Sequence, residues 1–291
     1  MTTILTNNIS DVRKIIADWK TQGLKIGLVP TMGALHKGHE SLIKKACETC
    51  DKVIVSIFVN PIQFGPNEDY DKYPRTIDSD KSICEKNGVA IVFAPTPTEM
   101  YGQNYTNKTL NTNNHITFVC PPYNLVDKLC GKTRAGHFDG VATVVLKLFN
   151  IVQPDFAFFG QKDAQQLIIL SKMVSDLNVP VEIVPCEIVR EEDGMALSSR
   201  NRYLSPEARK KAVTISKSLF QIKQLFEQGV TETKILFDSA INILDKQLEL
   251  EYLEFVDIEN LDQLDEIEQK TLVAIAAKID NVRLIDNIIL G

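Results

Sequence analysis

Apolar positions in the first two thirds of the chain form short continuous runs, and helix-like stretches lie between them. A short apolar run is typical of a strand buried on both faces, whereas apolar residues spaced three and four apart are typical of a helix. The predicted strands are 26–29, 52–59, 89–93, 156–159 and 181–184. The predicted helices are 4–22, 38–50, 79–87, 141–151 and 164–176. This alternation predicts an α/β fold in which helices cover a parallel sheet.

The pattern changes after about residue 190, where helices and strands become segregated. The predicted elements there are helices 206–228 and 232–248, followed by strands 253–256, 271–277 and 282–288. Such segregation predicts a smaller α+β domain. We therefore expect two domains, 1–188 and 189–291. The segment 101–114, rich in Asn and Thr, predicts an exposed loop.

Composition and charge limit the classes of partner that this protein is expected to bind. The chain has 291 residues, of which 44% are hydrophobic and 24% charged, and this predicts a globular protein with a sizeable core. Its formal net charge of -6 gives no general attraction to a polyanion, so we expect no nucleic-acid partner. Residues 1–18 mix polar and apolar positions unlike a signal peptide, and no apolar run approaches the roughly 20 residues of a membrane span. We expect a cytoplasmic protein with no membrane partner.

Six cysteines are scattered along the chain, and their spacing does not resemble a disulfide framework. They are Cys47, Cys50, Cys84, Cys120, Cys130 and Cys186. Cys47 and Cys50 form a CxxC pair, but a zinc site needs a second ligand pair at suitable spacing, and none follows. We expect reduced thiols and no zinc site.

The first candidate for chemistry is the segment PTMGALHKGH at 30–39, which follows a predicted strand and leads into a predicted helix. Ligands of open α/β sheets bind at the carboxyl ends of strands, where a helix N-terminus offers backbone N–H groups to phosphates. Gly33 and Gly38 would let the backbone approach a ligand closely, and His36 and His39 can donate ring N–H bonds to phosphate oxygens. The alternative is a glycine-containing turn whose histidines cap a helix.

A second candidate is the segment 59–69, which continues from the second predicted strand into a turn. The amides of Asn60 and Gln63 can both donate and accept hydrogen bonds, as recognition of a hydroxy acid requires. Asn-Pro and Gly-Pro are also ordinary turn formers, so a purely structural turn is the alternative.

A third candidate is the segment 131–141, which places Arg134 and His137 just before a predicted helix. A cation beside a glycine and a histidine could close over an anion. The alternative, which the residues leave open, is a solvated basic loop.

Two more segments have the composition of phosphate-binding turns. Segment 158–167 is a strand that ends in glycine and turns into a helix, and its Lys162 ammonium could hold two anions together during a reaction. Segment 189–201 contains Ser199 and Arg200, whose hydroxyl and cation are suited to a triphosphate. A helix start with a surface lysine and an interdomain linker are the respective alternatives.

These segments together resemble the pantothenate synthetase family of pantoate–β-alanine ligases. The HxGH pattern alone resembles the wider nucleotidyltransferase superfamily, and segment 189–201 resembles the second, KMSKS-like signature of that superfamily. The string VPTMGALHKGHESLI and three further segments, 59–69, 131–141 and 158–167, match the family in the same order. The resemblance covers most of the chain. It departs from the family at Ala135, where proline is usual, and at Gln161, where glutamate is frequent.

The resemblance implies a Rossmann-like catalytic domain at 1–188, which binds ATP and pantoate, and a smaller α+β domain at 189–291 that covers the active site. It also implies a homodimer. The implied reaction is the ATP-dependent condensation of pantoate with β-alanine to give pantothenate, AMP and pyrophosphate through a pantoyl adenylate. Mg²⁺ is expected with the triphosphate, and the sequence does not identify its protein ligands.

The resemblance also implies roles for individual residues. The catalytic residues are His36, His39, Lys162 and Arg200. The ATP contacts are Met32, Gly33, Ala34, Leu35, His36, Lys37, Gly38, His39, Gly160, Gln161, Lys162, Asp163, Val189, Leu197, Ser198, Ser199 and Arg200. Gln63 is expected to bind pantoate and β-alanine, Gln166 to bind pantoate, and Asn60 is a further candidate pantoate contact.

Three other functions remain as alternatives. A nucleotide adenylyltransferase would have a similar histidine segment, but the segment with Asn60 and Gln63 argues against it. An aminoacyl-tRNA synthetase is disfavoured because the acidic chain lacks a basic RNA-binding region. A nucleotide sensor that binds without turnover would not need the histidines, Lys162 and Arg200 together.

Overall fold

The computed structural model describes residues 2–66, 68–102 and 116–291. The predicted loop 101–114 lies outside the described residues except for its first two positions. The chain divides into two compact units. The first unit comprises Met1–Pro122, Arg134–Gln161 and Ile169–Glu187. The second unit comprises Tyr123–Thr133, Lys162–Ile168 and Ile188–Gly291.

A six-stranded parallel sheet forms the centre of the first unit, in the order β1-β4-β3-β2-β5-β6. Its strands are β1 (Ile4–Thr6), β2 (Ile26–Thr31), β3 (Lys52–Ile57), β4 (Ile91–Phe93), β5 (Phe156–Gly160) and β6 (Glu182–Cys186). The α/β fold predicted from the alternation of strands and helices is confirmed. Since parallel strands need crossover connections, helices follow most of these strands in the chain.

The described helices vary from single turns to more than twenty residues. They are α1 (Ile9–Thr21), α2 (Lys37–Thr49), α3 (Ile77–Lys86), α4 (Pro97–Tyr101), α5 (Tyr123–Val126), α6 (Leu129–Thr133), α7 (His137–Val152), α8 (Ala164–Asp176), α9 (Pro206–Glu227) and α10 (Thr233–Ile241). Helix α1 shows why such segments are helical, because its apolar Val12, Ile16 and Trp19 fall at helical spacing and are all buried.

The central strands β2 and β3 are buried on both faces, which explains their continuous apolar sequences. Leu28 and Val29 of β2 and Ile54 and Val55 of β3 are completely buried. Burying each such side chain contributes about 1.5 to 3 kcal/mol. Strand β2 pairs with β3 on one side and with β5 on the other, so the carboxyl ends of these three strands lie next to one another. Three of the segments predicted to carry chemistry lie at the ends of these three strands.

The N-terminal residues differ from the predicted helix 4–22. Residues Ile4–Thr6 form the short edge strand β1, which pairs in parallel with β4, and the helix begins only at Ile9. The Thr3 hydroxyl also donates a hydrogen bond of 2.7 Å to the carbonyl of Val89. The strand therefore depends on pairing with residues far along the chain, which local periodicity does not reveal.

The second unit contains an antiparallel sheet in the order β7-β8-β9 and the long helix α9. Its strands are β7 (Glu249–Asp257), β8 (Thr271–Ile279) and β9 (Val282–Leu290). Leu219 and Ile222 of α9 share a buried cluster with Val273 and Ile275 of β8. This α+β architecture was predicted, but the helix predicted at 232–248 ends at Ile241. A turn follows, in which the Thr214 hydroxyl accepts a hydrogen bond from the main chain of residue 245.

The cysteines carry free thiols. Burial raises the pKa of the Cys50 thiol to about 11 and that of the Cys84 thiol to about 12, so both thiols are protonated and unreactive at neutral pH. Among the described helices, none combines the length and the apolar character that a membrane crossing requires.

Candidate active site

The first element of the site is the turn between β2 and α2, residues 32–39, here called the histidine turn. Gly33 and Ala34 both have left-handed backbone conformations, with φ of 85° and 51°. This conformation costs a non-glycine residue about 1 to 2 kcal/mol, so Ala34 needs support from its surroundings. The turn reverses the chain sharply at the end of β2 and allows α2 to begin at Lys37.

Support for this conformation comes from Asp80 of α3, whose side chain is almost completely buried at 1% exposure. Its two carboxylate oxygens accept hydrogen bonds from the N–H groups of Ala34 at 3.0 Å and Leu35 at 2.8 Å. The Thr76 hydroxyl donates to the same carboxylate at 3.2 Å. A buried charge needs hydrogen-bond donors in place of bulk water, so the carboxylate holds these main-chain donors firmly.

The two histidines of the turn cap helix α2 reciprocally. The Nδ1 atom of His36 accepts from the N–H of Gly38 at 3.1 Å, and the Nδ1 atom of His39 accepts from the N–H of His36 at 3.3 Å. An Nδ1 atom that accepts carries no proton, so the neutral ring holds its proton on Nε2. The ring centroids are 4.1 Å apart. The capping contacts therefore select the tautomer in which each histidine has a donor at Nε2.

The sequence predicted that the N-terminus of α2 offers backbone N–H groups to phosphates, and these contacts change that expectation. The N–H of Gly33 donates to the Thr31 hydroxyl at 3.2 Å, and the N–H groups of residues 34, 35, 36 and 38 donate to Asp80 and to the histidine rings. The backbone donors at these five positions are thus occupied within the protein. The histidine side chains, which the sequence also indicated, become the more suitable phosphate donors of this turn.

The second element is the 3₁₀ turn after β3, residues 60–63, here called the amide turn. Asn60 and Gln63 are both buried, and the Asn60 amide donates to Oε1 of Gln63 at 3.0 Å. It also donates to the carbonyl of Gly140 in α7 at 3.1 Å, while its own oxygen accepts from the Tyr101 hydroxyl at 2.6 Å. Asn60 therefore acts as the support of the Gln63 side chain in this structure.

The amide turn and the histidine turn are in direct contact. The Nε2 atom of Gln63 lies 3.2 Å from the sulfur of Met32, at the start of the histidine turn. This contact follows from the sheet, because β2 and β3 are paired from Ile26 and Lys52 to Thr31 and Ile57 and end side by side. Met32, which is expected to bind ATP, and Gln63, which is expected to bind the acids, thus meet within the first unit.

The third element of the first unit lies at the end of β5, the other neighbour of β2. Gly160 is the last residue of this strand, and Gln161 follows it. Among the described atoms, none lies within 4 Å of the position that a Cβ would occupy on Gly160. The space beside the Gly160 backbone is therefore open to a ligand.

Arg134 and His137, which the sequence left open between an anion site and a solvated loop, are instead engaged within the first unit. Arg134 makes a bidentate ion pair with Glu68, with both N–O distances at 2.7 Å. Burial raises the pKa of the Glu68 carboxyl, but the hydrogen bond and charge of Arg134 outweigh it, so this pKa lies below its usual value. His137 is buried beside Arg134 and contacts the amide turn.

The second unit contains the remaining predicted residues, beginning with Lys162, Asp163 and Gln166. The main-chain carbonyl of Lys162 accepts from the Asn287 amide at 2.9 Å, which fixes the backbone at this position. Within the described part of the chain, the Lys162 ammonium forms neither a hydrogen bond nor an ion pair. Gln166 is half-buried, whereas its neighbour Gln165 is buried and holds the carbonyls of residues 125 and 128. The unengaged ammonium of Lys162 is suited to binding an anionic substrate.

The predicted triphosphate segment forms a hairpin-like loop in the second unit. The carbonyl of Val189 accepts from the N–H of Leu197 at 3.0 Å, and the Ser198 hydroxyl accepts from the N–H of Arg200 at 3.3 Å, where a 3₁₀ turn begins. Ser199 and Arg200 are the first residues of that turn. The loop thus places Val189 beside Leu197, with Ser198 to Arg200 directly after them.

Comparison with known proteins identifies the family. Residues 4–289 match the model of the family described as pantoate-beta-alanine ligase. The chain belongs to the pantoate-β-alanine ligase family. It is 49% identical to a pantothenate synthetase of Caldicellulosiruptor saccharolyticus, with 98% of this chain and 99% of the relative covered. It is 52% identical to a pantothenate synthetase of Clostridium novyi, with 97% of both chains covered.

Solved structures of the pantoate-β-alanine ligase family have the same architecture. A pantothenate synthetase from Thermus thermophilus is 38% identical and superimposes with a TM-score of 0.88, covering 98% of this chain and 99% of that one. A pantoate-β-alanine ligase from Francisella tularensis, complexed with beta-gamma ATP and β-alanine, is 34% identical with a TM-score of 0.78, and 99% of each chain is covered. The family resemblance stated from the sequence is confirmed.

Three residues that support the site were not recognised in the sequence. They are Asp80, Glu68 and Tyr101. Asp80 and Tyr101 lie outside the motifs, and Glu68 lies in segment 59–69 without an assigned role. Each acts through contacts with residues distant in the chain. Asp80 is buried, whereas the other acidic residues of its helix are exposed. This difference, which marks Asp80 as a supporting residue, is visible only in the folded chain.

Proposed function

We propose that this protein catalyses the ATP-dependent condensation of pantoate with β-alanine to give pantothenate, AMP and pyrophosphate. Membership of the pantoate-β-alanine ligase family supports the overall reaction. The structural observation that carries the proposal is the contact between Gln63 and Met32, which joins a turn suited to carboxylates and hydroxyls to a turn suited to phosphates. A ligase that activates an acid with ATP needs these two kinds of recognition side by side.

In the first step, a carboxylate oxygen of pantoate attacks the α-phosphorus of ATP, and the bond to the leaving pyrophosphate breaks. Negative charge builds on the phosphorus oxygens in the transition state, so donors that already point to those oxygens stabilise it. We assign this role to the Nε2–H groups of His36 and His39. The Lys162 ammonium attracts both the pantoate carboxylate and the α-phosphate and so offsets their mutual repulsion.

Ser198, Ser199 and Arg200 are proposed to hold the triphosphate and to accept the pyrophosphate as it leaves, since a guanidinium and short hydroxyls suit phosphate oxygens. The remaining assigned ATP contacts are those of the histidine turn, Gly160 to Asp163, Val189 and Leu197. We assign pantoate to Gln63 and Gln166, and Asn60 acts with Gln63. These assignments follow the motifs and agree with the order of the segments in the family.

In the second step, the amine nitrogen of β-alanine attacks the acyl carbon of the pantoyl adenylate. The bond from that carbon to the AMP oxygen breaks, the nitrogen loses a proton, and AMP leaves. Gln63 is proposed to bind β-alanine at this stage. No covalent intermediate with the protein is needed, so catalysis depends on positioning and on charge stabilisation.

Mg²⁺ is proposed to accompany the triphosphate. Among the described residues there is no group of three or more His, Cys, Asp or Glu side chains that could hold a metal ion. Mg²⁺ usually keeps several waters and is held by substrate phosphates with one or two carboxylates, so a metal carried in by ATP fits this donor set. When bound it would neutralise phosphate charge. We further propose that the protein acts in the cytoplasm as a homodimer.

The direct test is a product assay with ATP, pantoate, β-alanine and Mg²⁺, in which each acid is omitted in turn. We expect AMP release that depends on both acids and pyrophosphate release that depends on pantoate. Adenylate transfer that needs no pantoate would instead indicate a nucleotide adenylyltransferase. Nucleotide binding with no turnover would indicate a sensor, and either result would overturn the proposal.

His39→Ala tests the assigned donor. We expect kcat to fall by about 10²- to 10³-fold, because one preorganised donor to the transition state is lost. The free energy of unfolding should fall by only about 1 kcal/mol, the usual cost of a lost helix cap. Glu48→Ala, at an exposed position on the same helix, is the control and should keep the wild-type kcat. Near-normal turnover of His39→Ala would remove His39 from the mechanism.

A further inference from the structure

A series of hydrogen-bonded side chains leads from the surface of the first unit to Gln63. It consists of Glu68, Arg134 and His137, and the proposed mechanism uses none of them. Arg134 is held by its bidentate contact with Glu68, and its Nη1 atom lies 2.8 Å from Nε2 of His137. The Nδ1 atom of His137 lies 2.8 Å from the main-chain carbonyl oxygen of Gln63.

The partners of His137 determine which of its ring nitrogens carries the proton. A guanidinium has only donors and stays protonated, so Nε2 must accept from Arg134. A carbonyl oxygen has only lone pairs, so Nδ1 must donate to Gln63. His137 is therefore a neutral imidazole with its proton on Nδ1, the opposite tautomer to that of His36 and His39. The order Glu68, Arg134, His137, Gln63 gives a hydrogen-bond chain in which each donor faces an acceptor.

The backbone of the amide turn is also fixed by close packing against α7, the helix that His137 begins. A Cβ on Gly140 would lie 2.5 Å from the carbonyl oxygen of Ile62 and 2.7 Å from Cα of Gln63. The absence of a side chain at Gly140 thus permits the turn to lie against the helix. His137 and Gly140 are about one helical turn apart and hold neighbouring atoms of the same short segment.

We infer that His137 is a positioning residue that sets the place of Gln63, and hence the affinity for pantoate, with Arg134 fixing the tautomer of His137. This inference rests on the proposed function, since it takes Gln63 to be the pantoate contact. The segment 131–141 then serves the acid substrate indirectly and does not close over an anion. The Gln63 amide can present its polar atoms to a carboxylate or hydroxyl only when its main chain is held at the correct distance.

Two substitutions of His137 separate its two contacts. In His137→Asn the amide nitrogen can take the place of Nδ1 and still donate to the Gln63 carbonyl, while the contact with Arg134 is lost. In His137→Gln the longer side chain can take the place of Nε2 and keep the contact with Arg134, while the hydrogen bond to Gln63 is lost. The two variants are otherwise similar in size and polarity.

The measurements are kcat and the KM values for pantoate and for ATP, together with the free energy of unfolding. We expect His137→Gln to raise KM for pantoate about tenfold, which corresponds to one lost hydrogen bond, with KM for ATP within about twofold of wild type. His137→Asn should raise KM for pantoate less than about threefold. Equal changes in the two variants, or an equal rise in both KM values, would overturn the inference.

Arg134→Lys provides a second test in case the His137 variants fold poorly. Lysine keeps the positive charge but cannot bind Glu68 with two donors while also donating to His137. We expect a rise of about three- to fivefold in KM for pantoate and an unchanged KM for ATP, and no rise would contradict the inference. If the wild-type protein makes no pantothenate, the proposed function is wrong. If it does, and KM for pantoate is unaffected in all variants, only the role of His137 is wrong.

Discussion

The histidine turn and the amide turn lie at the ends of neighbouring parallel strands, yet they are stabilised in different ways. The histidine turn is held partly by its own side chains, since His36 and His39 cap the helix that they begin, and partly by the distant Asp80, which binds the main chain before that helix. The amide turn is held against α7 by its own Asn60, which donates to the carbonyl of Gly140, and by His137, which contacts the carbonyl of Gln63. The histidine turn is thus fixed by helix capping and a carboxylate of α3, and the amide turn by its packing against α7.

This difference indicates how each half of the proposed reaction can fail. A substitution that distorts the histidine turn should weaken nucleotide binding and slow the chemical step, because it misplaces the donors to phosphate. A substitution that distorts the amide turn should lower the affinity for pantoate and leave the affinity for the nucleotide unchanged. Substitutions in the supporting residues can therefore confirm or contradict the distinction without touching either substrate.

Asp80→Asn should have the largest effect. Asparagine offers one acceptor where the aspartate offers two, so its NH₂ group would face the N–H of Ala34 or Leu35 and leave a buried donor unpaired. We expect a loss of about 2 to 3 kcal/mol in the free energy of unfolding and a fall of about 100-fold in kcat/KM for ATP. Denaturant titration and steady-state kinetics measure the two effects.

Asp257→Asn is the matched control for that loss of stability. The Asp257 carboxylate is also buried, and its Oδ1 atom accepts from the main-chain N–H groups of Glu259 at 2.8 Å and Asn260 at 2.9 Å. Its Oδ2 atom accepts from the Gln269 amide at 2.5 Å. It belongs to a turn of the second unit that carries no predicted substrate residue. In Asp257→Asn the remaining oxygen can keep both main-chain donors while the new NH₂ group faces the Gln269 amide, so we expect a loss of about 1 to 2 kcal/mol with kcat/KM unchanged. If both variants lose activity in proportion to stability, Asp80 has no special role in the histidine turn.

The difference between local and distant contacts explains which parts of the molecule the sequence could reveal. The α/β class, the α+β second unit and the family could be predicted, because strand and helix periodicity and the motif PTMGALHKGH are local patterns. The alternative that the histidines cap a helix could also be stated from local sequence. The structure shows that capping and a donor role are compatible, since capping through Nδ1 leaves the proton on Nε2.

Contacts between distant residues could not be predicted in this way. Asp80 lies 46 positions from Ala34 in the chain, and His137 lies 74 positions from Gln63. Strand β1 is likewise formed only because β4 is available to pair with it. Local sequence patterns thus indicate candidate substrate residues, whereas the residues that hold the two turns in place become visible only in the structure.

Gly140→Ala should have an intermediate effect and should be confined to the amide turn. The added methyl group would lie 2.5 Å from a backbone oxygen, so either α7 or the turn must move. We expect a loss of about 1 to 3 kcal/mol in stability, as in other overpacked sites, with KM for pantoate raised several-fold and KM for ATP unchanged. Gly65→Ala is the control, since the nearest described atom would be 3.7 Å away and the cost should be under about 0.5 kcal/mol. A larger rise in KM for ATP than for pantoate would contradict the separation of the two turns.

The smallest effect is expected from acid acting on the pair of Glu68 and Arg134, which supports only the amide turn. The pKa of Glu68 in the folded protein lies below its ordinary value of 4.5, which we take for the unfolded chain. A carboxyl whose pKa is lowered by folding contributes stability that is fully present above about pH 4.5 and is lost as the pH falls through the folded pKa. The comparison is the free energy of unfolding of wild type and Glu68→Gln between pH 7 and pH 3. The difference should be about 1 kcal/mol and constant down to about pH 5, because the pair is only partly buried, and it should shrink below that pH. A difference that grows on acidification would mean that Glu68 is held in its protonated form and that Arg134 does not keep it charged.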